Sequence, residues 1–222
     1  MARQKSKDLK RVRSILFKWN RRENKRDFFW RNAKLNLFQF LMMELLLQKT
    51  RAETAEGTIK KFIKKYDQPE KVLSGKKREI KKAVESLGLQ NQRTRAIYEI
   101  AKNFDKIRCA FQEGNKQPLS SVEDIKGIGH YIKNAVACFY LDKNKPVLDV
   151  NTSRVISRIF SIDTKVDLRK NRALFEEAMK LLPPRRYKKF NWILLDFGAI
   201  VCKKKPLCEE CPLVELCEYY NT

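Results

Sequence analysis

Acidic residues are scarce in this sequence: its 222 residues include 26 Asp and Glu against 49 Lys and Arg, a formal net charge of +23. Long hydrophobic runs are also absent. The longest, residues 41–47, is interrupted by Glu44 and is far too short to span a bilayer. The amino-terminal segment MARQKSKDLKRVRS contains no apolar signal core. We therefore expect a cytoplasmic protein that is neither secreted nor inserted into a membrane.

The alternating pattern of a β-strand is missing too, as are internal repeats, low-complexity tracts and Gly/Ser linkers. Apolar residues recur instead at helical spacing along most of the chain, beginning with Leu9, Val12 and Leu16. One extended stretch, residues 146–150, is too short to found a sheet. The hydrophobic content of 43% is enough for a sizeable core. The sequence therefore predicts an all-α fold with short connections.

The excess of positive charge indicates which partners to expect. Nucleic acids are the most abundant polyanions that a folded cytoplasmic polycation meets. A lysine-rich genome composition would produce the same excess without such a function. The charge therefore favours DNA or RNA as the partner, and other motifs have to support it.

Four of the six cysteines crowd the end of the chain, with the spacing Cys202-x5-Cys208-x2-Cys211-x5-Cys217. Disulfides are not expected in a cytoplasmic protein, so four thiols this close in sequence indicate a metal site. Zinc and a 4Fe-4S cluster both accept four thiolate ligands. Zinc ribbons usually contain two Cys-x2-Cys pairs and this chain has one, so zinc is kept as the alternative to the cluster.

Residues 120–131, SSVEDIKGIGHY, have the pattern of a helix-hairpin-helix. A serine cap with acidic residues predicts a short first helix, Gly127-Ile128-Gly129 predicts a tight turn, and a second helix is expected over residues 130–141. The amides that open the second helix of such a motif can hold a phosphate without reading a base. An ordinary turn between two helices can have the same Gly-x-Gly pattern. The neighbouring motifs therefore decide whether this segment is a phosphate-binding hairpin.

Two carboxylates stand out by their surroundings. Asp149 ends a short apolar stretch and precedes Asn151 and Thr152. This order is typical of a helix N-cap. The alternative interpretation of Asp149 is a catalytic carboxylate. Glu44 lies inside an apolar run, where a buried carboxylate is unfavourable unless its pKa is raised or it has a function. Both residues are therefore candidate site residues.

The order of these motifs resembles the helix-hairpin-helix DNA glycosylase superfamily, which includes endonuclease III, the MutY-type adenine glycosylases and the thymine glycosylases acting on G:T mismatches. Residues 26–31, RDFFWR, are similar to an Arg-x-Phe-Pro-Trp-Arg segment of the adenine and thymine enzymes, with Phe29 in place of proline. Residues 44–50, ELLLQKT, resemble the helix end that follows it. The four-cysteine loop is similar to the cluster loop of that family, although its first interval is one residue shorter.

The resemblance implies a role for each candidate. Asp149 would stabilise the cationic sugar that forms as the glycosidic bond breaks, and Glu44 would enter the base pocket. Gln48 and Lys49 would contact the space left by the extruded base, and Trp192 is a further candidate for filling the gap in the stack. The four cysteines would hold a 4Fe-4S cluster, with zinc as the alternative. The hairpin contacts to DNA would come from Gly127, Ile128, Gly129 and His130.

Tyr131 separates two reaction types. Relatives that also cut the strand carry a lysine at this position, and its amine forms a Schiff base with the sugar. A tyrosine cannot do so. The catalytic set of Asp149, Tyr131 and Glu44 therefore implies a monofunctional glycosylase with little or no AP lyase activity.

The last part of the sequence indicates which base is removed. Residues 190–202, with Tyr219 and Tyr220, look most like the thymine-mismatch group, which implies removal of thymine or uracil opposite guanine. The alternatives are a short MutY-type adenine glycosylase and a DNA-binding module without catalysis. The implied partner is double-stranded DNA with a mismatched or damaged base, bound by a monomer associated with the nucleoid.

The family fold implies two helical lobes. One would combine residues 1–34 and 142–222 and carry the cysteine loop, residues 202–217. The other would comprise residues 35–141 and carry the hairpin, residues 121–141.

Overall fold

The computed structural model describes residues 2–23, 26–112, 119–122, 124–163 and 171–221. Throughout these residues the chain forms helices and turns and contains no strand, which confirms the all-α prediction. Within the same ranges, no helix has both the length and the apolar character that crossing a membrane requires. The described α-helices are α1 (Ala2–Arg22), α2 (Leu37–Leu47), α3 (Ala52–Lys65), α4 (Pro69–Leu73), α5 (Lys77–Ala83), α6 (Gln90–Lys102), α7 (Phe104–Phe111), α8 (His130–Ala135), α9 (Val150–Phe160), α10 (Arg172–Leu181), α11 (Tyr187–Ile200) and α12 (Glu218–Asn221).

Shorter helical turns connect several of these helices. In the described ranges four are 3-10 turns, and one π-helical segment continues directly from α8. The 3-10 turns are Phe29–Arg31, Glu85–Leu87, Leu119–Val122 and Val214–Leu216, and the π-helical segment is Val136–Tyr140.

The chain divides into two compact units. The terminal unit comprises Met1–Arg26 and Leu141–Thr222, and the internal unit comprises Asp27–Tyr140. Residues 27–34, which were expected in the terminal lobe, belong to the internal unit because they are bonded to it. The Phe29 amide donates to the Glu56 carboxylate in α3 at 2.9 Å.

The terminal unit is built on the apolar faces of α1, α9, α10 and α11. Leu16 and Trp19 of α1 meet Ile156 of α9 and Phe197 of α11 in one buried cluster, and the rings of Trp19 and Phe197 pack edge to face with centroids 5.0 Å apart. Burial of this apolar surface is the main stabilising term. The apolar residues at helical spacing in the first segment therefore form the face of α1 that packs in the core.

The internal unit is organised around α2. Asn36 begins this helix with a capping box, since its side chain accepts from the Gln39 amide at 2.8 Å and the Gln39 side chain accepts from the Asn36 amide at 3.0 Å. Nine of its eleven residues are buried, and it packs against α3, α6 and α8. A helix that is apolar all round has to be surrounded in this way.

The hairpin differs from its prediction in two respects. The first helix is a single 3-10 turn, Leu119–Val122, in the part that is described, and Glu123, expected in its acidic first turn, lies outside the described residues. The second helix begins at His130 as predicted but changes to a π-helical turn after Ala135.

Candidate active site

Asp149 is the N-cap of α9, so the capping interpretation of this residue is confirmed. Its Oδ1 accepts from the amides of Asn151 at 2.9 Å and Thr152 at 2.7 Å, and its Oδ2 accepts from the Asn151 side chain at 3.1 Å. The Asp149 amide donates to the Thr152 hydroxyl at 2.8 Å, which completes a capping box. The carboxylate is thus fixed in place at the positive end of a helix.

The carboxyl of Asp149 is also half-buried. Burial raises its pKa above the ordinary value, and the hydrogen bonds from Thr152 and Asn151 oppose that rise. A poorly hydrated carboxylate held by several donors acts more strongly on a nearby cation than one in water. A cap and a catalytic carboxylate are therefore compatible functions of one residue.

A chain of hydrogen bonds runs from Asp149 to the cysteine loop. Arg154 donates to the Asn151 side chain at 2.8 Å, to the Gly198 carbonyl at 2.8 Å and to the Cys202 carbonyl at 2.9 Å. Gly198 permits this close approach of α9 and α11, because a Cβ there would lie 2.9 Å from the Cβ and the carbonyl oxygen of Asn151. The Asp149 cap and the first cysteine are therefore joined within the terminal unit.

Arg158 contacts both ends of the cysteine loop. Its guanidinium donates to the Cys202 sulfur at 3.4 Å and to the carbonyls of Lys203 at 2.7 Å and Lys204 at 3.1 Å. The thiol of Cys217 lies 3.5 Å from the Arg158 carbonyl. Arg158 of α9 thus binds the start of the loop through its side chain and the end of the loop through its backbone carbonyl.

The four thiols influence one another electrostatically. Burial, followed by the charges of Cys202, Cys217 and Cys208, raises the pKa of Cys211 to about 11. Among the described residues, no three Cys, His, Asp or Glu side chains are already arranged as metal ligands. The donor set nevertheless suits a thiophilic centre, because it consists of four cysteine sulfurs, and a bound metal would offset their mutual repulsion once they are thiolates.

Glu44 and Tyr131 belong to the internal unit. Glu44 is only 4% exposed, and its neighbours Met43 and Leu45 are buried as well. The expected burial of this carboxylate is therefore found. Tyr131, in the first turn of α8, is half-buried, and Lys133 two positions later is 8% exposed.

The hairpin turn packs closely on α2 and α6 within the internal unit. Gly127 has a φ of +103°, and a Cβ there would lie 3.1 Å from Ile100 and 3.3 Å from Leu45. Only glycine fits such a position without strain. Gly129 is the N-cap of α8, and His130, which follows, is exposed and lies 3.3 Å from Asn134.

The other predicted DNA contacts are divided between the units. Gln48 and Lys49 form an exposed turn after α2 in the internal unit, and Lys49 has a φ of +56°. Trp192 is half-buried on α11 in the terminal unit. The structure therefore connects Asp149 with the cysteine loop, and it connects the hairpin with α2. The joint action of all predicted site residues stays a prediction.

A model of the HhH-GPD superfamily of base excision DNA repair proteins matches residues 42–184, which is more than half of the chain. The chain belongs to the HhH-GPD superfamily. The matched residues include Glu44, Tyr131 and Asp149, and the resemblance inferred from the sequence is confirmed.

Individual relatives of this HhH-GPD protein are similar over nearly its whole length. It is 35% identical to the thymine/uracil-DNA glycosylase of Methanothermobacter thermautotrophicus over 214 residues, which cover 95% of this chain and 93% of that protein. It is 29% identical to the thymine-DNA glycosylase of Aeropyrum pernix over 216 residues, which cover 95% and 94%. The solved structure of a thermostable thymine-DNA glycosylase has a TM-score of 0.81 at 32% identity and covers 97% of each chain.

Two arginines of this HhH-GPD protein were missed in the sequence. Arg154 lies three residues after Asn151, and side chains three residues apart on a helix can contact each other. Arg93 is 5% exposed and shares a face of α6 with the buried residues Ile97 and Ile100. A cation on the apolar stripe of an amphipathic helix is the signal that could have identified it.

Proposed function

We propose that this protein is a DNA glycosylase of base excision repair that hydrolyses the N-glycosidic bond of thymine or uracil mispaired with guanine. The observation that carries the proposal is the 35% identity with a thymine/uracil-DNA glycosylase across almost the full length of both chains. The charge of +23 is consistent with a polyanionic substrate.

Asp149 is proposed to act on the sugar. As the glycosidic bond breaks, positive charge develops on the sugar ring, and a fixed carboxylate lowers the energy of that state. The bonds from Asn151 and Thr152 fix the carboxylate before the substrate arrives, so little reorganisation is needed during the reaction. The partial positive charge of the α9 N-terminus favours its ionised form.

Glu44 and Tyr131 are proposed to act around the base. Glu44, as a buried carboxyl group, would contact the pyrimidine or orient the water that attacks the sugar. Tyr131 would line the pocket. A phenol cannot form a Schiff base with the sugar, so the product is expected to be an abasic site in an unbroken strand.

The duplex would be bound through its phosphates. The residues of the hairpin turn, Gly127 to His130, would hold one phosphate, and the basic surface would neutralise others. A mismatched nucleotide is extruded at a lower cost than a paired one, which favours repair of mismatches. Gln48, Lys49 and Trp192 would occupy the gap that it leaves. The protein is proposed to act as a monomer associated with the nucleoid.

The cysteine loop is proposed to hold a 4Fe-4S cluster through Cys202, Cys208, Cys211 and Cys217. The cluster would cross-link the loop and supply structural stability to the terminal unit. Purified protein with the cluster should be brown, with a broad absorbance at roughly 400 nm. Stoichiometric zinc in colourless, active protein would favour the alternative metal.

The specificity is tested with a set of otherwise identical duplexes carrying G:T, G:U, A:G or adenine opposite oxidised guanine. Base release is scored as strand breaks that appear only after alkali. We expect breaks with G:T and G:U. Breaks confined to the two adenine duplexes would favour a MutY-type enzyme, and none in any duplex despite tight binding would favour a module without catalysis.

A further inference from the structure

Arg93 places a charged guanidinium inside the internal unit. The residue is 5% exposed and shares the buried face of α6 with Ile97 and Ile100. Burial lowers the pKa of Arg93. A cation in this position is stable only if its donors are satisfied, and the bonds that satisfy them show what the side chain holds.

All three guanidinium nitrogens of Arg93 donate to the end of α2 or to the turn before α6. Nη1 donates to the carbonyls of Leu45 at 3.0 Å and Leu46 at 3.1 Å. Nη2 donates to the Gln48 carbonyl at 2.8 Å and the Thr50 hydroxyl at 2.6 Å. The remaining bonds are Nε to the Gly88 carbonyl at 2.9 Å and Nη2 to the Leu87 carbonyl at 3.3 Å.

Three of these acceptors, the carbonyls of Leu45, Leu46 and Gln48, lie at the end of α2. The last carbonyls of a helix need donors, and a cation there also offsets the negative end of the helix dipole. A glycine after the helix often provides the cap, but α2 is followed by Gln48 and Lys49. Arg93, reaching from another helix, caps α2 in place of a local residue.

The turn after α2 contains an unfavourable backbone conformation. Lys49 has a φ of +56°, which a residue with a side chain adopts only when its surroundings enforce it. Within the turn, the Thr50 amide donates to the Leu47 carbonyl at 3.2 Å and the Thr50 hydroxyl donates to the Gln48 carbonyl at 3.3 Å. Arg93 binds both Gln48 and Thr50, one on each side of Lys49, and so fixes this conformation from outside.

We propose that Arg93 is a positioning residue for DNA recognition, which holds the turn of residues 48–50 in the shape that enters the gap left by an extruded nucleotide. The inference rests on the proposed function, because the gap exists only if a nucleotide is extruded. Arg93 is buried behind the turn, so we do not expect it to contact DNA itself. Its effect is therefore on recognition of a gap and not on phosphate binding in general.

Arg93→Lys is the informative variant. Lysine keeps the positive charge but has one nitrogen, which cannot reproduce six directional bonds to separate acceptors. Arg95→Lys is the matched control, since Arg95 is exposed on the same helix and the change there also keeps the charge. Circular dichroism and unfolding midpoints establish that both variants are folded.

The measurement is the affinity for two duplexes that differ at one position. One carries a tetrahydrofuran abasic analogue opposite guanine, and the other is fully paired. We expect the parent and Arg95→Lys to prefer the abasic duplex. Arg93→Lys should lose about tenfold of that preference, with its affinity for the paired duplex unchanged, as expected when a few well-placed hydrogen bonds to a charged group are lost.

The outcomes separate this inference from the proposed function. An unchanged preference in folded Arg93→Lys, or an equal loss on both duplexes, would show that Arg93 serves only the stability of the unit. If Arg93→Lys does not fold, Thr50→Val removes one of the six bonds and should reduce the preference by a smaller factor, and no reduction overturns the inference. If the parent releases no base from any mismatch but prefers the abasic duplex, and Arg93→Lys loses that preference, the proposed function fails and the positioning role is supported.

Discussion

Gly198→Ala tests whether the close contact between α9 and α11 is required. Gly198 is buried, and its added Cβ would lie 2.9 Å from Asn151 Cβ, 2.9 Å from the Asn151 carbonyl oxygen and 3.0 Å from its carbonyl carbon. Backbone atoms cannot rotate away, so the two helices would have to separate. Overpacking of this kind costs about 1–3 kcal/mol, and the better helix propensity of alanine returns roughly 0.5–1 kcal/mol. The net expectation is a loss of up to about 2.5 kcal/mol.

Gly57→Ala provides the matched control. Gly57 is exposed in α3, and an added Cβ there would meet no atom within 4 Å. This change should stabilise the protein by roughly 0.5–1 kcal/mol, because only the propensity term remains. Urea unfolding followed by circular dichroism should therefore show shifts of opposite sign for the two variants.

The functional consequence of Gly198→Ala follows from Asn151. This residue donates to both oxygens of Asp149, so a displacement of its backbone moves the carboxylate. We expect base release to slow by about tenfold or more, since small errors in position at a reacting centre are costly. A stabilised Gly198→Ala protein, or one with parental base release, would refute the reasoning from the helix contact.

Three further predictions concern single groups. Asp196→Asn breaks the buried ion pair with Arg26 at 2.9 Å and should cost about 3 kcal/mol in urea unfolding, whereas Glu215→Gln removes an exposed pair and should leave the midpoint unchanged; equal effects would contradict this. Tyr131→Lys should create strand cleavage that borohydride traps, and efficient trapping of the parent would disprove the monofunctional assignment. Base release should fall as the pH drops and Asp149 becomes protonated, and because the pKa of Asp149 is raised, this fall should occur above the ordinary pKa of about 3.9. A fall in rate that begins only below about pH 3.9 would contradict the raised pKa.

Local patterns in the sequence predicted the helical character of the chain and the surroundings of two carboxylates, but not the 3-10 and π-helical turns of the hairpin. The capping of α9 depends on Asp149 and the residues just after it, so it could be predicted from their order. The burial of Glu44 could be predicted because α2 is apolar on every side. The family resemblance added the catalytic roles, which the geometry of a single residue does not provide.

Contacts between distant residues could not be predicted in this way. Arg93 and its acceptor Gln48 are 45 residues apart, and Arg154 and Cys202 are 48 residues apart. Periodicity describes which face of a helix is apolar, but it does not say which neighbouring helix end will need a donor. The grouping of residues 27–34 with the internal unit has the same origin, since the bond from Phe29 to Glu56 is a tertiary contact.

Asp149→Asn tests the central claim most directly. Asparagine is also a good N-cap, and burial raises the pKa of Asp149, so the folded state loses stability as pH rises through that pKa and the carboxyl ionises. The variant should therefore be close to the parent in stability at neutral pH, because removal of the buried charge offsets loss of the bond that Oδ2 accepts from the Asn151 side chain.

The deciding measurement is single-turnover base release from G:T and G:U duplexes by the parent and by Asp149→Asn, with duplex affinity measured alongside. Loss of the charge that stabilises the sugar cation should cost ~3–5 kcal/mol, a decrease in rate of roughly a hundredfold to several thousandfold. Affinity should be retained, because phosphate contacts supply most of it. Base release near the parental rate by a folded, DNA-bound Asp149→Asn protein would contradict the assignment of Asp149 as the catalytic carboxylate.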